Sequence, residues 1–319
     1  MPRSFYLALI VFVVSCQSAA SGSNLQRTAG PGGNLPAGLR GSFKTRNTDH
    51  FSIISGPRQA QGEKIADVLE LAYSHFKSLF ERHDFELRAP EEKLTWFTFA
   101  DTASFNRYAA ETEGRDLSPL TGYYSAGTNA VAMITPQKMS TWRVKEQASP
   151  SLDLIACPPD AEADLVKLVH EAAHQLSFNT GLLKRKVMYP LWASEGLAMV
   201  FERSLLSEYF QSSRYTSLRA RQLAMLYRRG QLIRLDEFIG MSRVDDARAI
   251  DVYAQAWGLF QFLCDHRTEA LRWYCSSLYH LEPGWRSEQT LRDEFVRAFG
   301  SLDQLDRQWT AFLDTLPAQ

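Results

Sequence analysis

The chain has 319 residues, 45% of them hydrophobic and 12% aromatic, enough to bury a sizeable core in one large domain or two closely joined lobes. Lys and Arg total 35 against 36 for Asp and Glu, a formal charge of -1 that excludes a global field drawing the chain to nucleic acid or an anionic membrane. Basic clusters such as Lys184-Arg185-Lys186 and Arg228-Arg229 accordingly read as solvated surface.

Met1-Pro2-Arg3 precedes an apolar run from Phe5 to Val14 and then small and polar residues, the layout of a secretory signal. A run that short does not span a bilayer comfortably. Within a signal region of residues 1–20, Val13-Val14-Ser15-Cys16 resembles a bacterial lipobox, so cleavage before Cys16 with lipidation of that cysteine is favoured over cleavage after Ala20. The expectation is an exported protein of the bacterial cell envelope or periplasm that touches the membrane only through an N-terminal lipid anchor. With Cys16 assigned to lipid, Cys157, Cys264 and Cys275 form an odd set whose pairing the sequence leaves open. None stands in CxxC spacing, which disfavours a cysteine zinc site.

Residues 17–41, rich in Ser, Gly, Asn and Pro, read as a flexible tether. Beyond it, His50 to Ser55 predicts a strand, and the period of Ile65, Val68, Leu69, Ala72, Phe76, Leu79 and Phe80 predicts a helix over 62–81. Leu94 to Phe99 is aromatic and β-branched, a strand, and Asp101 is placed to cap a helix running through Tyr108. Gly122-Tyr123-Tyr124 and Ala130 to Ile134 flank Ser125-Ala126-Gly127-Thr128-Asn129, whose residues suit a hairpin turn. Beyond about Asp160 strand signals vanish and helices are predicted near 161–178, 191–210, 214–229, 248–265, 268–281, 288–299 and 301–315. The fold class is therefore α+β, a small mixed sheet with helices in a lobe at 42–155 followed by a helical lobe at 156–319.

Leu168-Val169-His170-Glu171-Ala172-Ala173-His174-Gln175-Leu176 contains HExxH in a helical segment. Four residues make just over one turn, so both imidazoles leave the same face and can share a metal ion. Glu171, one residue round from His170, can take a proton from water at the metal without being a ligand. Glu195, in Pro190-Leu191-Trp192-Ala193-Ser194-Glu195-Gly196-Leu197-Ala198, is the third candidate ligand, on a helix expected to pack antiparallel to the first. It would complete the His2Glu set of catalytic zinc sites, one Zn2+ per chain. Gly196 and Ala198, without bulky side chains, are expected to let those two helices approach closely.

The pair HEAAHQL and LWASEGLA resembles the gluzincin superfamily. The order GYYSAGTNAVAMI, LVHEAAHQLSFNTGL, PLWASEGLAMVFE and YAQAWGLFQFL is similar to the DUF1570 family of peptidase-MA-like bacterial proteins. This resemblance implies a thermolysin-like fold and a zinc metallopeptidase acting on peptide or protein substrates, with His170, His174 and Glu195 matching the zinc ligands and Glu171 the general base. Tyr253, in Tyr253-Ala254-Gln255-Ala256-Trp257-Gly258, resembles the tyrosine that stabilises the oxyanion in gluzincin aminopeptidases; the alternative is a tyrosine packed between helices. The aminopeptidase segment that recognises a free amine has no counterpart, so an endopeptidase is favoured, with the hairpin around Gly122 to Ile134 as an edge for an extended peptide. Met199 stands where thermolysin-type enzymes carry an Asp, and Glu202 offers either support to the metal ligands or an interhelix ion pair. The alternative from another class is a non-catalytic, zinc-stabilised envelope lipoprotein.

Overall fold

A computed structural model describes residues 43–56, 59–114, 116–117, 120–136, 162–209 and 213–317. The export signal, Cys16, the tether at 17–41, Cys157 and the lobe boundary at 155–156 lie outside the described residues. The chain forms two compact units, and the division passes through the interior of two helices, between Ser74 and His75 and between Gln175 and Leu176.

The first unit is built on five strands: β1 (Lys44–Asn47), β2 (Phe51–Ser55), β3 (Leu94–Phe99), β4 (Gly122–Ser125) and β5 (Ala130–Ile134). Their order in the sheet is β1-β2-β3-β5-β4. The two outer pairs are antiparallel, whereas β2–β3 and β3–β5 are parallel, with Phe51 opposite Leu94 and Thr95 opposite Ala130. Parallel neighbours need crossover segments. Helix α1 (Gln59–Glu81) lies on the first crossover and α2 (Thr102–Glu113) on the second. The central strands are buried along nearly their whole length, as strands covered on both faces must be, whereas β1, Lys-Thr-Arg-Asn, is exposed throughout and forms a charged edge.

Asp101 caps α2 as the sequence predicts, its carboxylate accepting from the Ser104 backbone N–H at 2.8 Å. The helix ends at Gly114, whose φ of 66° is the left-handed conformation glycine adopts without strain. Phe97, Phe99, Phe105, Tyr108, Tyr123 and Ile54 close the core under α2. The first part of α3 (Glu162–Asn179), through Gln175, completes this unit.

The second unit is helical: α4 (Leu191–Tyr209), α5 (Ser213–Arg228), α6 (Leu235–Phe238), α7 (Ala249–His266), α8 (Thr268–Tyr279), α9 (Glu288–Phe299) and α10 (Leu302–Asp314), with the latter parts of α1 and α3. Residues 191–202 of α4 are all buried, so the helix has no solvent face along its first three turns. Trp192 sits among the rings of Phe260, Tyr274, Phe295 and Phe299, with centroids 5.1–6.4 Å away. Cys264 and Cys275 are buried free thiols, and burial pushes the Cys275 pKa to about 12, which keeps it unreactive.

The α+β class and the order of sheet first, helices after, agree with the expectation. Strand β1 and the single-turn α6 were not predicted. Among the described residues no helix is long and apolar enough to cross a membrane.

Candidate metal centre

Helix α3 opens with Glu162 and Asp164 in its first turn, where carboxylates favour the positive end of the helix dipole. Two turns on, His170 and His174 leave the same face, with ring planes 80° apart and Nε2 atoms 3.0 Å from each other. Glu195, in the second turn of α4, joins them: each of the three residues offers one ligand atom, and these atoms all lie within 4.8 Å of one another. The three side chains are 1% exposed or less.

The donor set suits a metal ion. Two imidazole nitrogens sharing one zinc at about 2.1 Å each stand roughly 3.4 Å apart, so the observed separation needs only a few tenths of an ångström of adjustment. Two nitrogens and one carboxylate oxygen are borderline-soft to hard donors, the mixture found in three-ligand zinc sites. This buried group could therefore bind a metal.

Two features hold the ligand-bearing helices in place. Gln175, next to His174 and fully buried, accepts from Trp96 Nε1 at 2.6 Å through its side-chain oxygen. Its amide nitrogen donates to the carbonyls of Thr95 and Asn129 at 3.2 and 3.1 Å. One side chain thus ties the middle of α3 to β3 and to the residue before β5, fixing the roll of the helix that carries both histidines. Sequence reasoning missed this role; a glutamine directly after the second histidine, in an otherwise apolar stretch, is the only signal of it.

On α4, a Cβ added at Gly196 would lie 2.5 Å from the Ala256 carbonyl oxygen and 2.7 Å from Phe260 Cβ. The small residue beside Glu195 therefore serves close approach to α7; the sequence reading assigned it to the contact with α3. Lys167, one turn before His170, has its pKa lowered by burial, with Asp164 offsetting part of the effect.

Glu171 is buried on α3 and is not among the three grouped donors. Tyr253 lies on α7, nearly buried, one turn before the Ala256 carbonyl that meets Gly196. Glu202 is buried and pairs with Arg219 Nη2 at 3.7 Å, the interhelix ion pair of the two readings the sequence allowed. Met199 is packed in the core.

Residues 164–283 match a family model described as "Protein of unknown function (DUF1570)". The matched span runs from the first turn of α3 to just past α8 and contains His170, Glu171, His174, Glu195 and Tyr253. It supports the resemblance to that family. None of the curated proteins compared with the chain matches it.

Proposed function

We propose that the protein is a zinc metallopeptidase of gluzincin type with a thermolysin-like fold, cleaving internal peptide bonds in an exported, lipid-anchored setting. The observation that carries this reading is the convergence of the His170 and His174 Nε2 atoms with a Glu195 oxygen in a buried group. Glu171 lies between the two histidines in sequence without entering that group. A site with three protein donors leaves a fourth position for solvent or substrate, as catalytic zinc sites do. When bound there, zinc supplies a Lewis acid for the scissile carbonyl and brings the pKa of a water molecule towards about 7.

In this reading Glu171 accepts the proton of the attacking water and returns it to the departing amine nitrogen, so the carboxylate is regenerated each cycle. Tyr253 donates its phenolic hydrogen to the oxygen that gains charge as the carbonyl carbon becomes tetrahedral. Strand β4 ends the sheet order among the described residues, which suits addition of an extended substrate as a further strand.

The near-complete burial of the three donors favours one competing reading, a zinc that only stabilises the fold. A single comparison separates the two. Zinc-loaded wild type and Glu171→Gln are incubated with a peptide library and their metal content is measured. The catalytic reading expects equal zinc, about one ion per chain, and a turnover loss of several orders of magnitude in the variant. Equal cleavage by both proteins, or cleavage by neither, removes the peptidase assignment. Full zinc occupancy in Glu195→Ala removes that residue from the ligand set.

A further inference from the structure

The helical unit contains a pocket of about 440 Å3 that none of the grouped donors lines. Its volume lies in the range of about 300–1,000 Å3 typical of small-molecule sites. Among its lining residues are Glu237, Ser242, Arg243, Trp285, Arg286 and Glu288. We propose that this pocket binds a neutral saccharide, with a pyranose ring stacked on the Trp285 indole. The inference stands apart from the zinc reading and does not rest on it.

Trp285 is 56% exposed, an unusual position for so large an apolar side chain. The Arg243 guanidinium lies over one face of its ring at 4.6 Å from the centroid and steadies the indole, and with the residue more than half exposed the opposite face is left for a ligand. An exposed aromatic ring at a pocket wall matches a ligand with a flat face of C–H groups. A pyranose has such a face, and its C–H edges carry the partial positive charge that the negative π face attracts.

Two arginines and two glutamates line the cavity, and two of the four already have partners outside the lining set: Glu288 pairs with Arg292 at 3.4 Å and Arg286 with Glu294 at 2.6 Å. A pocket for an anion or a cation would carry an excess of the opposite sign. Balanced guanidinium donors and carboxylate acceptors instead suit a neutral ligand studded with hydroxyl groups, each of which both donates and accepts.

Arg292 Nε donates to the Asp236 carbonyl at 2.8 Å, fixing α9 against α6. The Met241 carbonyl accepts from the Leu191 N–H at 2.8 Å, and the Gly284 N–H donates to the Lys186 carbonyl at 3.0 Å, directly before Trp285. These bonds hold the walls before any ligand arrives, which reduces the ordering cost of binding. A peptide is the less suitable occupant, because Met241 is the only aliphatic side chain in the lining.

The test is titration of the full chain with three neutral probes, the β-1,4-linked tetramer of N-acetylglucosamine, cellotetraose and maltotetraose, by calorimetry and tryptophan emission. At least one is expected to bind saturably and shift the emission. Trp285→Ala should weaken that binding about thirtyfold, the loss typical of removing an aromatic anchor. Glu237→Gln, a change at an exposed side chain, should also weaken it. Trp273→Ala, which removes another exposed tryptophan outside the pocket, should leave it unchanged, and so should removal of zinc. No binding of any of the three up to about 10 mM overturns the proposal. So does binding that survives Trp285→Ala, or selective binding of a neutral tetrapeptide that Trp285→Ala abolishes.

Discussion

Helix propensity alone predicts that Gly196→Ala stabilises the protein by about 1 kcal/mol. Packing reverses the sign. The new Cβ would stand 2.5 Å from the Ala256 carbonyl oxygen and 2.7 Å from Phe260 Cβ, where carbon contacts are optimal near 3.5 Å, so α4 and α7 would have to part by roughly 1 Å. Neither neighbour is the mobile end of a side chain. Overpacking of this kind costs about 1–3 kcal/mol, and contact with backbone places it at the upper end, leaving a net loss of about 1–2 kcal/mol. For a chain of this size that corresponds to a few degrees in Tm. Because the displacement falls one residue from Glu195, zinc affinity should drop as well, within the roughly 10–100-fold range seen when support around metal ligands is disturbed.

Thermal melting and competition with a zinc chelator measure the two effects on the same samples. Gly258→Ala is the internal comparison. Its added carbon would run into Leu223 Cδ2, a side-chain end that can rotate away, and stand 3.1 Å from Trp309 Cη2, with no backbone atom among its nearest neighbours, so it should cost less and leave zinc affinity unchanged. A Gly196→Ala protein melting at or above the wild-type temperature with unaltered zinc affinity would refute the close-approach argument.

Tyr253→Phe keeps the ring, and with it the packing on α7, so an oxyanion role predicts a hundred- to thousand-fold fall in kcat with Tm nearly unchanged. A merely packed tyrosine predicts almost full turnover and a loss of about 1 kcal/mol. Gln175→Leu strips the partner from the buried Trp96 Nε1 and the donor from two part-buried carbonyls, and at about 1–3 kcal/mol for the stranded buried donor and less for each carbonyl it should destabilise by roughly 2–5 kcal/mol in urea titration. A loss below about 1 kcal/mol would mean that the glutamine does not hold α3 to the sheet.

His75 is buried, with Nε2 2.9 Å from Ser204 Oγ, and burial lowers its pKa to about 4, partly countered by Glu208. Its unfolded-state pKa is about 6.5, so between pH 6.5 and 4 the unfolded chain binds the extra proton and stability is lost as pH drops through that window, by up to about 3 kcal/mol. Urea midpoints of wild type and His75→Gln across that window check this; parallel curves would show that the histidine contributes nothing to acid sensitivity.

What could be read in advance depended on whether the signal was local. Strand β3 matches the reading residue for residue at Leu94–Phe99, because a leucine followed by five aromatic and β-branched residues favours a strand strongly. Asp101 could be identified as a cap because the bond it makes reaches only three residues along the chain. The His170 and His174 pair was legible for the same reason, four residues being one turn of any helix. By contrast β1, Lys-Thr-Arg-Asn, carries no hydrophobic alternation, and its extended form comes from the ladder it makes with β2. Helix α6 is a single turn, too short for a period to show.

Gly196 marks the limit most clearly. A glycine inside an apolar helix announces that another chain segment comes close, and that much the sequence conveyed. Which segment comes close is settled by the fold, and here it is α7, sixty residues along, whose Ala256 carbonyl occupies the space a side chain would need. The consequence reaches the candidate site. Glu195 adjoins the glycine that packs on α7, and His174 adjoins Gln175, which is bonded to the sheet, so both ligand-bearing segments are held by contacts that no local pattern encodes. Substitutions at Gly196 and Gln175 should for that reason disturb metal binding without touching a ligand, and a scan confined to His170, His174 and Glu195 would miss both.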